Sequence, residues 1–362
     1  MFFYLCYYIS MKDVIDRIVE NGYECFIVGG YVRDYLLGMT SYDIDICTNA
    51  KIDEIINIFG SEGTYNKEYY SYHLNKDKYH YDITTYRREL EYKKNKPIKL
   101  EVAHSLKEDL LRRDFTINTF ALNKDKKFID LLNSKNDLNY KIIRVVGNTT
   151  NKLLEDKTRI IRAIRFACTL DFELDDEIKE FLKNKAYYLN EVPLEYIKKE
   201  LTKIFESNNY NKFFELVNEY NLSKYLKIKF DKIIKSYDSY GVWAQIETTL
   251  PFTKEEKDII ESIRNLINYY KVTLDDIVLY RNEVINNVVR ILNMDREYKS
   301  YIELNRTHSI IDIDIDMITI RKYVGINKSK EVFKKIENLI LNNKLNNNRI
   351  DIINYLKGRK YE

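Results

Sequence analysis

The spacing of apolar residues changes near residue 150, and this change restricts the chain to an architecture with two different parts. Before it, short β-prone runs such as ECFIV (24–28), YDIDIC (42–47) and KYHYDITTYR (78–87) alternate with helical patterns such as KIDEIINIFG. After it, the helical period continues through NKLLEDKTRIIRAIRFACTL and PLEYIKKELTKIFE. The pattern predicts an α/β unit with a mixed sheet, followed by an all-α body.

Composition excludes several classes of protein. Lys and Arg total 59 against 56 for Asp and Glu, so a site for a polyanion must be a local patch. The four cysteines form no CxxC pair, which argues against a zinc site and favours a reducing cytoplasm. No segment is apolar enough for a membrane helix, which predicts a soluble protein without a membrane partner. Together with the cysteine usage, this predicts a cytoplasmic location.

Two carboxylates, Asp43 and Asp45, are one residue apart in the alternating run YDIDIC. On a strand they share one face, roughly 6–7 Å apart, while Ile44 and Ile46 pack on the other. Such a pair can hold divalent metal ions for phosphoryl or nucleotidyl transfer. Taken alone, however, the pattern is more typical of a strand with a solvated acidic face.

A glycine pair shortly before those carboxylates suggests a phosphate site. Gly29 and Gly30 separate an apolar run from a helical pattern, so the backbone can approach an anion and the N–H groups of a helix start can bind it. Arg33, in the first helical turn, can add a forked phosphate contact. Tight turns also need glycine, so this hypothesis depends on the nearby carboxylate pair.

A third motif, KEDLLRRDFTIN (107–118), alternates polar Asp114, Thr116 and Asn118 with apolar residues. It predicts a hydrogen-bonding edge suited to a sugar, with Arg113 near its phosphates. The alternative is a solvated start of a surface helix.

The segment EDKTRIIRAIRF (155–166) predicts one helix, reaching back to Leu153, with Arg159, Arg162 and Arg165 opposite its apolar side. Asp156 and Arg159 are i,i+3 neighbours. They form either a local ion pair worth about 0.3 kcal/mol or an acceptor and a forked donor for a base edge. An Asp acceptor suits the amines of cytosine and adenine and rejects uracil and guanine.

Taken in order, VGGYVRDYLLG, YDIDICT, DITTYR, RRDFTIN and EDKTRIIRAIRF resemble the motifs of the class II tRNA nucleotidyltransferase and bacterial poly(A) polymerase family. The resemblance covers residues 24–166 and extends more weakly to the C-terminus. It implies a polymerase-β-like head (11–148), a neck that recognises the base (149–210), and a helical body and tail that bind tRNA (211–362). Residues 1–10 are interpreted as an over-extended start of the coding sequence.

The resemblance also implies roles for individual residues. Asp43 and Asp45 are expected to hold Mg²⁺, and Asp82 occupies the place of a third, usually glutamate, carboxylate. Asp156 and Arg159 are expected to pair with the base of CTP and then of ATP. The residues implied to contact the nucleotide are Gly30, Arg33, Arg113, Asp156, Arg159, Arg162 and Arg165.

The implied activity is template-independent addition of C, C and A to the 3′ end of tRNA. Residues 87–105 correspond to the loop that this family needs to switch from C to A addition, but the core of the segment reads KKNKP and is one residue short. The nearly full length of the segment argues against an enzyme restricted to CC, whereas its altered core makes A addition less certain than C addition. Within the family, the alternatives are CC-only addition, A-only addition and poly(A) synthesis. A non-catalytic RNA-binding paralogue is a further alternative, against which the intact Asp43 and Asp45 argue.

Overall fold

The computed structural model describes residues 2–268, 280–294, 296, 313–342 and 344–358. The chain divides into two compact units, Met1–Lys227 and Ile228–Glu362. The first contains a seven-stranded sheet and eleven helices, and the described part of the second is mainly helical.

The sheet of the first unit is mixed, as predicted. With the strands numbered along the chain, their spatial order in the sheet is β3-β4-β5-β2-β1-β8-β9. β2 and β5 are parallel, and the other pairs are antiparallel. The strands are β1 (Cys25–Val28), β2 (Asp43–Thr48), β3 (Thr64–Asn66), β4 (Ser71–Lys76), β5 (Tyr79–Thr85), β8 (Ala121–Leu122) and β9 (Phe128–Ile129).

Helices cover this sheet and continue beyond it. They are α1 (Phe2–Glu20), α2 (Gly30–Leu36), α3 (Ile52–Phe59), α4 (Leu106–Leu111), α5 (Lys135–Asn139), α6 (Thr149–Glu155), α7 (Thr158–Leu170), α8 (Asp176–Lys185), α9 (Leu194–Phe205), α10 (Tyr210–Glu219) and α11 (Ser223–Leu226). Short 3₁₀ helices span Thr116–Asn118 and Ala186–Glu191, and Ile142–Ile143 pairs in parallel with Glu173–Leu174.

Strand β2 shows why the sheet forms where the alternation predicts it. Ile44 and Ile46 are buried, at 1% and 0% exposure, and pack into the core. Asp43 and Asp45 therefore point to the opposite face, because successive side chains on a strand alternate.

The segment predicted as a loop, residues 87–105, is instead mostly a β-hairpin. Strands β6 (Arg87–Lys93) and β7 (Lys96–Val102) form their own antiparallel sheet, with register shifts between Glu89 and Tyr92. The two turn residues, Lys94 and Asn95, have φ of 50° and 63°. Two positive φ values in a two-residue turn match the twist of a hairpin, which explains the closure without glycine.

The prediction of one continuous helix from Leu153 to Phe166 is wrong. α6 ends at Glu155 and α7 begins at Thr158. Asp156 between them is extended, with φ −136° and ψ 99°. Its carboxylate accepts hydrogen bonds from the backbone N–H and the hydroxyl of Thr158, at 2.9 and 2.6 Å. The break follows from this local competition of an aspartate side chain with the helix backbone.

The described part of the second unit confirms the predicted helical body. A small core packs around Ile320, Ile336 and Ile352, and Gly325, with φ 78°, kinks the longest helix. None of the helices in the described ranges is long and apolar enough to cross a membrane. The helices are Ser239–Ala244, Lys254–Asn268, Asn282–Ile291, Met317–Leu341 and Arg349–Lys357, with a short strand pair, Ile228–Lys229 and Glu247–Thr248.

Candidate active site

Strand register brings the predicted carboxylates together on one sheet face. Asp45 on β2 is the direct partner of Asp82 on β5. Partners on neighbouring strands point to the same side, and the strands are about 4.8 Å apart. Asp43 lies two residues before Asp45 and shares its face. We call Asp43, Asp45 and Asp82 the carboxylate row.

The carboxylate row is electrostatically crowded at Asp45. Burial raises the pKa of Asp45, and the charges of Asp82 and Asp43 raise it further, while Arg113 and Arg112 lower it. The raising effects outweigh the two arginines, so the pKa of the Asp45 carboxyl lies above its usual value. A cation bound beside Asp45 would relieve both effects, since an added positive charge favours the ionised form.

The turn at Gly29 lies directly beside Asp45 of the carboxylate row. Gly29 has φ 75° and ψ −140° and precedes α2. A Cβ on Gly29 would lie 2.7 Å from Oδ2 of Asp45 and 2.8 Å from Nη1 of Arg113. Asp45 and Arg113 therefore converge above a backbone that only glycine can provide. Gly30, the first residue of α2, lies next to this point.

Arg33 is held by protein groups in this structure. It is 7% exposed, and its Nη1 donates to Oδ1 of Asn118 at 2.6 Å. Its Nη2 donates to Asp34 at 2.7 Å, and the guanidinium lies 4.9 Å from the ring centre of Phe166. Arg33 thus ties α2 to the 3₁₀ helix of the RRDFTIN motif.

Arg113 is also positioned by a buried acid. Asp109, with 0% exposure, accepts hydrogen bonds from Nε of Arg112 at 2.9 Å and from Nη2 of Arg113 at 3.4 Å. Nε of Arg113 is buried and donates to none of the described residues. Arg113 therefore keeps donor capacity next to Asp45.

A polar cavity of about 280 Å³ adjoins Arg113, and we call it the base-side cavity. Four of the predicted nucleotide-binding residues line this cavity. Six of its lining residues are Arg113, Asp114, Asp156, Arg159, Arg162 and Tyr196. Gly30, Arg33 and Arg165 are not among the residues that line it.

Asp114 and Arg162 form a partly buried ion pair in the wall of this cavity. Nε of Arg162 donates to Oδ2 of Asp114 at 2.9 Å. Oδ1 of Asp114 accepts from Nδ2 of Asn118 at 3.0 Å and from the N–H of Phe115 at 2.8 Å. Burial opposes ionisation of Asp114, but the Arg162 charge and these hydrogen bonds outweigh it and hold the pKa of Asp114 below its usual range.

Arg159 depends on the hairpin as well as on its own helix. Its Nη1 donates to the carbonyl of Lys152 at 2.7 Å, and its Nη2 donates to the hydroxyl of Tyr92 at 2.8 Å. The predicted ion pair with Asp156 is long, at 4.0 Å. Sequence reasoning missed Tyr92, because nothing in the local pattern of the segment 87–105 indicates this distant contact.

Arg165 has its own partners and does not line the base-side cavity. Its Nε donates to a carboxylate oxygen of Glu200, which is 1% exposed, at 2.5 Å. Its guanidinium stacks 3.8 Å from the ring centre of Phe166. These contacts join α7 to α9, and the role near the nucleotide that the resemblance implies for Arg165 stays a prediction.

A mixed sheet with a carboxylate row, a glycine turn and an arginine-lined cavity defines a nucleotidyltransferase by class. Residues 25–144 match the family described as poly A polymerase head domain. Residues 171–232 match the one described as probable RNA and SrmB-binding site of polymerase A. The chain belongs to this family of poly(A) polymerases and tRNA nucleotidyltransferases.

Curated relatives extend the likeness over the whole chain. The CCA-adding enzyme of Staphylococcus aureus (strain bovine RF122 / ET3-1) is 32% identical over 285 residues, which are 78% of this chain and 68% of that enzyme. The CCA-adding enzyme of Pediococcus pentosaceus is 29% identical, over 95% of this chain and 96% of the other.

Solved structures share the fold. The Bacillus stearothermophilus CCA-adding enzyme, in complex with CTP, aligns with a TM-score of 0.74 at 20% identity, over 97% of this chain and 96% of that one. The Thermotoga maritima CCA-adding enzyme, complexed with tRNA, aligns with a TM-score of 0.59 at 21% identity, over 96% and 94%. At these identities the likeness shows the fold.

Proposed function

We propose that this protein adds C, C and A to the 3′ end of tRNA, using CTP and ATP and releasing pyrophosphate. The observation that carries the proposal is the meeting of Asp45, Gly29 and Arg113 at the edge of the base-side cavity. A nucleoside triphosphate bound there has its phosphates at the carboxylate row and its base near Asp156 and Arg159. The CCA-adding relatives support the choice of substrates.

The carboxylate row fits Mg²⁺ as cofactor. Asp43 and Asp45 supply hard oxygen ligands. The pKa of Asp45 is raised mainly by burial and additionally by repulsion from the other carboxylates of the row. Among the described residues, no group of three or more His, Cys, Asp or Glu side chains is arranged to hold a metal ion alone. Mg²⁺ commonly binds through one or two carboxylates plus substrate phosphates, which is what this pair offers.

The reaction is a displacement at the α-phosphorus. The 3′-hydroxyl oxygen of the tRNA forms a bond to the α-phosphorus of the nucleotide, the bond to the pyrophosphate oxygen breaks, and pyrophosphate leaves. When bound, Mg²⁺ supplies a Lewis acid that neutralises phosphate charge and favours the alkoxide. Asp82 is the carboxylate beside Asp45 that we assign to receive the hydroxyl proton. Arg113 stabilises charge on the phosphates.

Base selection falls to Asp156 and Arg159. Asp156 offers an acceptor to the exocyclic amine that cytosine and adenine share, and Arg159 offers donors. Arg162 shapes the same cavity, and its pairing with Asp114 fixes its orientation. The roles proposed for Gly30 and Arg33 at the triphosphate, and for Arg165 near the nucleotide, follow the family resemblance.

The wider assignments remain proposals. We assign residues 11–148 to the head, 149–210 to the neck, and 211–362 to a body and tail that bind the tRNA. A cytoplasmic location agrees with the buried free thiols of Cys25, Cys47 and Cys168.

The test uses tRNAs lacking the last one, two or three nucleotides, with CTP and ATP supplied separately and together in Mg²⁺. The full activity predicts CC with CTP, A on a CC end with ATP, and CCA with both. Addition stopping at CC, addition of A alone, or long A tracts identifies one of the alternatives. Asp43→Ala should abolish every product. The control Asp125→Ala, at an exposed loop position, should give the same products as the wild-type protein. Full activity of Asp43→Ala would refute the carboxylate assignment.

A further inference from the structure

A polar chain crosses the same sheet face beyond the carboxylate row. Nδ1 of His73 on β4 lies 3.3 Å from Oδ1 of Asp82. The other ring nitrogen, Nε2, lies 3.2 Å from the hydroxyl of Ser71. His73 is the register partner of Asp82, which in turn is the partner of Asp45. Three adjacent strands therefore place His73, Asp82 and Asp45 side by side.

The facing carboxylate of Asp82 favours one tautomer of His73, because a carboxylate accepts hydrogen bonds and cannot donate them. Ser71 is buried at 6% exposure, and its hydroxyl can donate to Nε2 of His73. The ring proton then sits on Nδ1, the atom that faces Asp82. A neutral imidazole in this form accepts from the serine and donates to the carboxylate.

Asp82 needs such a donor. Its Oδ1 is buried and accepts no hydrogen bond of good alignment from the described residues. The Asp82 side chain as a whole is nevertheless 46% exposed, so its second oxygen, Oδ2, faces solvent. Hydrogen bonds at catalytic groups are often poorly aligned in the free enzyme and tighten when substrate binds. A donor held on Oδ1 would leave Oδ2 directed toward the reacting groups.

We propose that His73 is a positioning residue for Asp82: Ser71 fixes the imidazole, and the imidazole N–H fixes one oxygen of Asp82 so that the other serves the attacking 3′-hydroxyl. This inference rests on the proposed function. A histidine on a solvated strand is often without a role, but here Nε2 contacts the Ser71 hydroxyl and Nδ1 lies 3.3 Å from a carboxylate of the carboxylate row.

Single-turnover kinetics test the role. Loss of an outer partner of a site carboxylate or histidine costs about 10- to 100-fold in comparable sites. His73→Ala should therefore lower the transfer rate by about 10- to 100-fold and leave the KM for CTP unchanged, because His73 is not among the residues that line the base-side cavity. His73→Asn, whose amide N–H replaces Nδ1–H, should restore most of the rate. The matched control is Asn75→Ala, at the next exposed position on the same face of β4, with an unchanged rate.

A double-mutant cycle tests whether His73 acts through Asp82. In an Asp82→Asn background, His73→Ala should have little further effect. An equal loss in both backgrounds, or a normal rate for His73→Ala, overturns the proposal.

A spectroscopic signature separates this proposal from the proposed function. In ¹⁵N-histidine spectra of the whole chain, His73 should show a protonated Nδ1, and this signal should change in Asp82→Asn and in Ser71→Ala. A ring protonated on Nε2 overturns the proposal even if the protein is fully active. Absence of all nucleotide transfer by the wild-type chain would instead refute the proposed function, while the tautomer still reports the pairing.

Discussion

The hydroxyl of Tyr92 accepts a hydrogen bond of 2.8 Å from Nη2 of Arg159, across 67 residues of sequence. The guanidinium also lies 5.3 Å from the centre of the Tyr92 ring. The same hydroxyl donates to Glu89, which accepts from Arg112 at 3.2 Å. A continuous polar chain therefore links the residue before Arg113 to the arginine proposed to read the base.

We predict that Tyr92→Phe weakens nucleotide discrimination. The change keeps the ring but leaves a donor of Arg159 and an acceptor of Glu89 unpaired. A hydrogen bond to a charged group contributes about 1.5–3 kcal/mol, so we expect roughly a 10- to 100-fold loss in kcat/KM for CTP. Incorporation of UTP relative to CTP should rise. Steady-state kinetics with the four nucleotides measure both. Tyr65→Phe, at an exposed position of β3, is the control; equal discrimination in both variants would contradict the role.

We predict that Gly29→Ala removes activity beyond its effect on stability. The new methyl group would collide with Asp45 and Arg113, at 2.7 and 2.8 Å. Gly38→Ala is a useful comparison, because φ is 71° there but no atom lies within 4 Å of the added Cβ. A positive φ costs an alanine about 1–2 kcal/mol. Both variants should unfold at lower temperature, but only Gly29→Ala should lose nucleotide transfer. Normal transfer by Gly29→Ala would show that the turn is not part of the site.

We predict that Arg162→Met destabilises the first unit by about 1.5–3 kcal/mol, because it leaves the Asp114 carboxylate, which is 12% exposed, without its charged donor. Lys67→Met removes one partner of the exposed ion pair with Asp53 and should cost about 1 kcal/mol or less. Because the pKa of Asp114 is lowered in the folded state, its stabilisation is present above about pH 4 and is lost as the pH falls. Urea unfolding of both variants at pH 7 and pH 3 measures these differences. Similar losses for the two variants would contradict the burial argument.

We predict that Glu337→Gln stabilises the second unit at alkaline pH. Glu337 is 6% exposed, and its Oε1 accepts no hydrogen bond from the described residues. Burial raises its pKa to about 7, although Lys334 lowers it somewhat. A raised carboxyl pKa means that stability is highest below the unfolded value, about 4.5, and falls as the pH rises toward 7.

Thermal unfolding of the full chain at pH 5 and pH 8 measures this effect. Glu337→Gln should raise the transition of the second unit at pH 8 and have little effect at pH 5. Glu331→Gln, on the same helix but exposed, should leave the transition temperature unchanged at both pH values. A shift of equal size at both pH values would exclude ionisation as the cause.

Local spacing in the sequence accounts for part of this structure. The alternation around Asp43 and Asp45 predicts β2 and their common face, because strand periodicity is a local property. Strand β4 was not predicted, since SYHLNK has few apolar residues. His73 was consequently missed, because its place beside Asp82 depends on the pairing of β4 with β5.

The remaining differences have similar causes. Asp156 and Thr158 form a local capping contact that interrupts the helical period, and the period alone cannot reveal it. The partners of Arg159 and Arg165 come from β6 and α9, so long-range packing decides which arginines line the cavity. Helical spacing had placed all three arginines on a common side.

Strand β2 serves the core and the carboxylate row with alternate residues, and this limits how its sequence can change. Deleting or inserting one residue within it would turn Ile44 and Ile46 outward and bury Asp43 and Asp45, losing stability and chemistry together. The turn of the β6–β7 hairpin, at Lys94 and Asn95, carries no such double constraint on side-chain alternation. Variation in length among homologous chains should therefore be absent from β2 and concentrate at the hairpin turn.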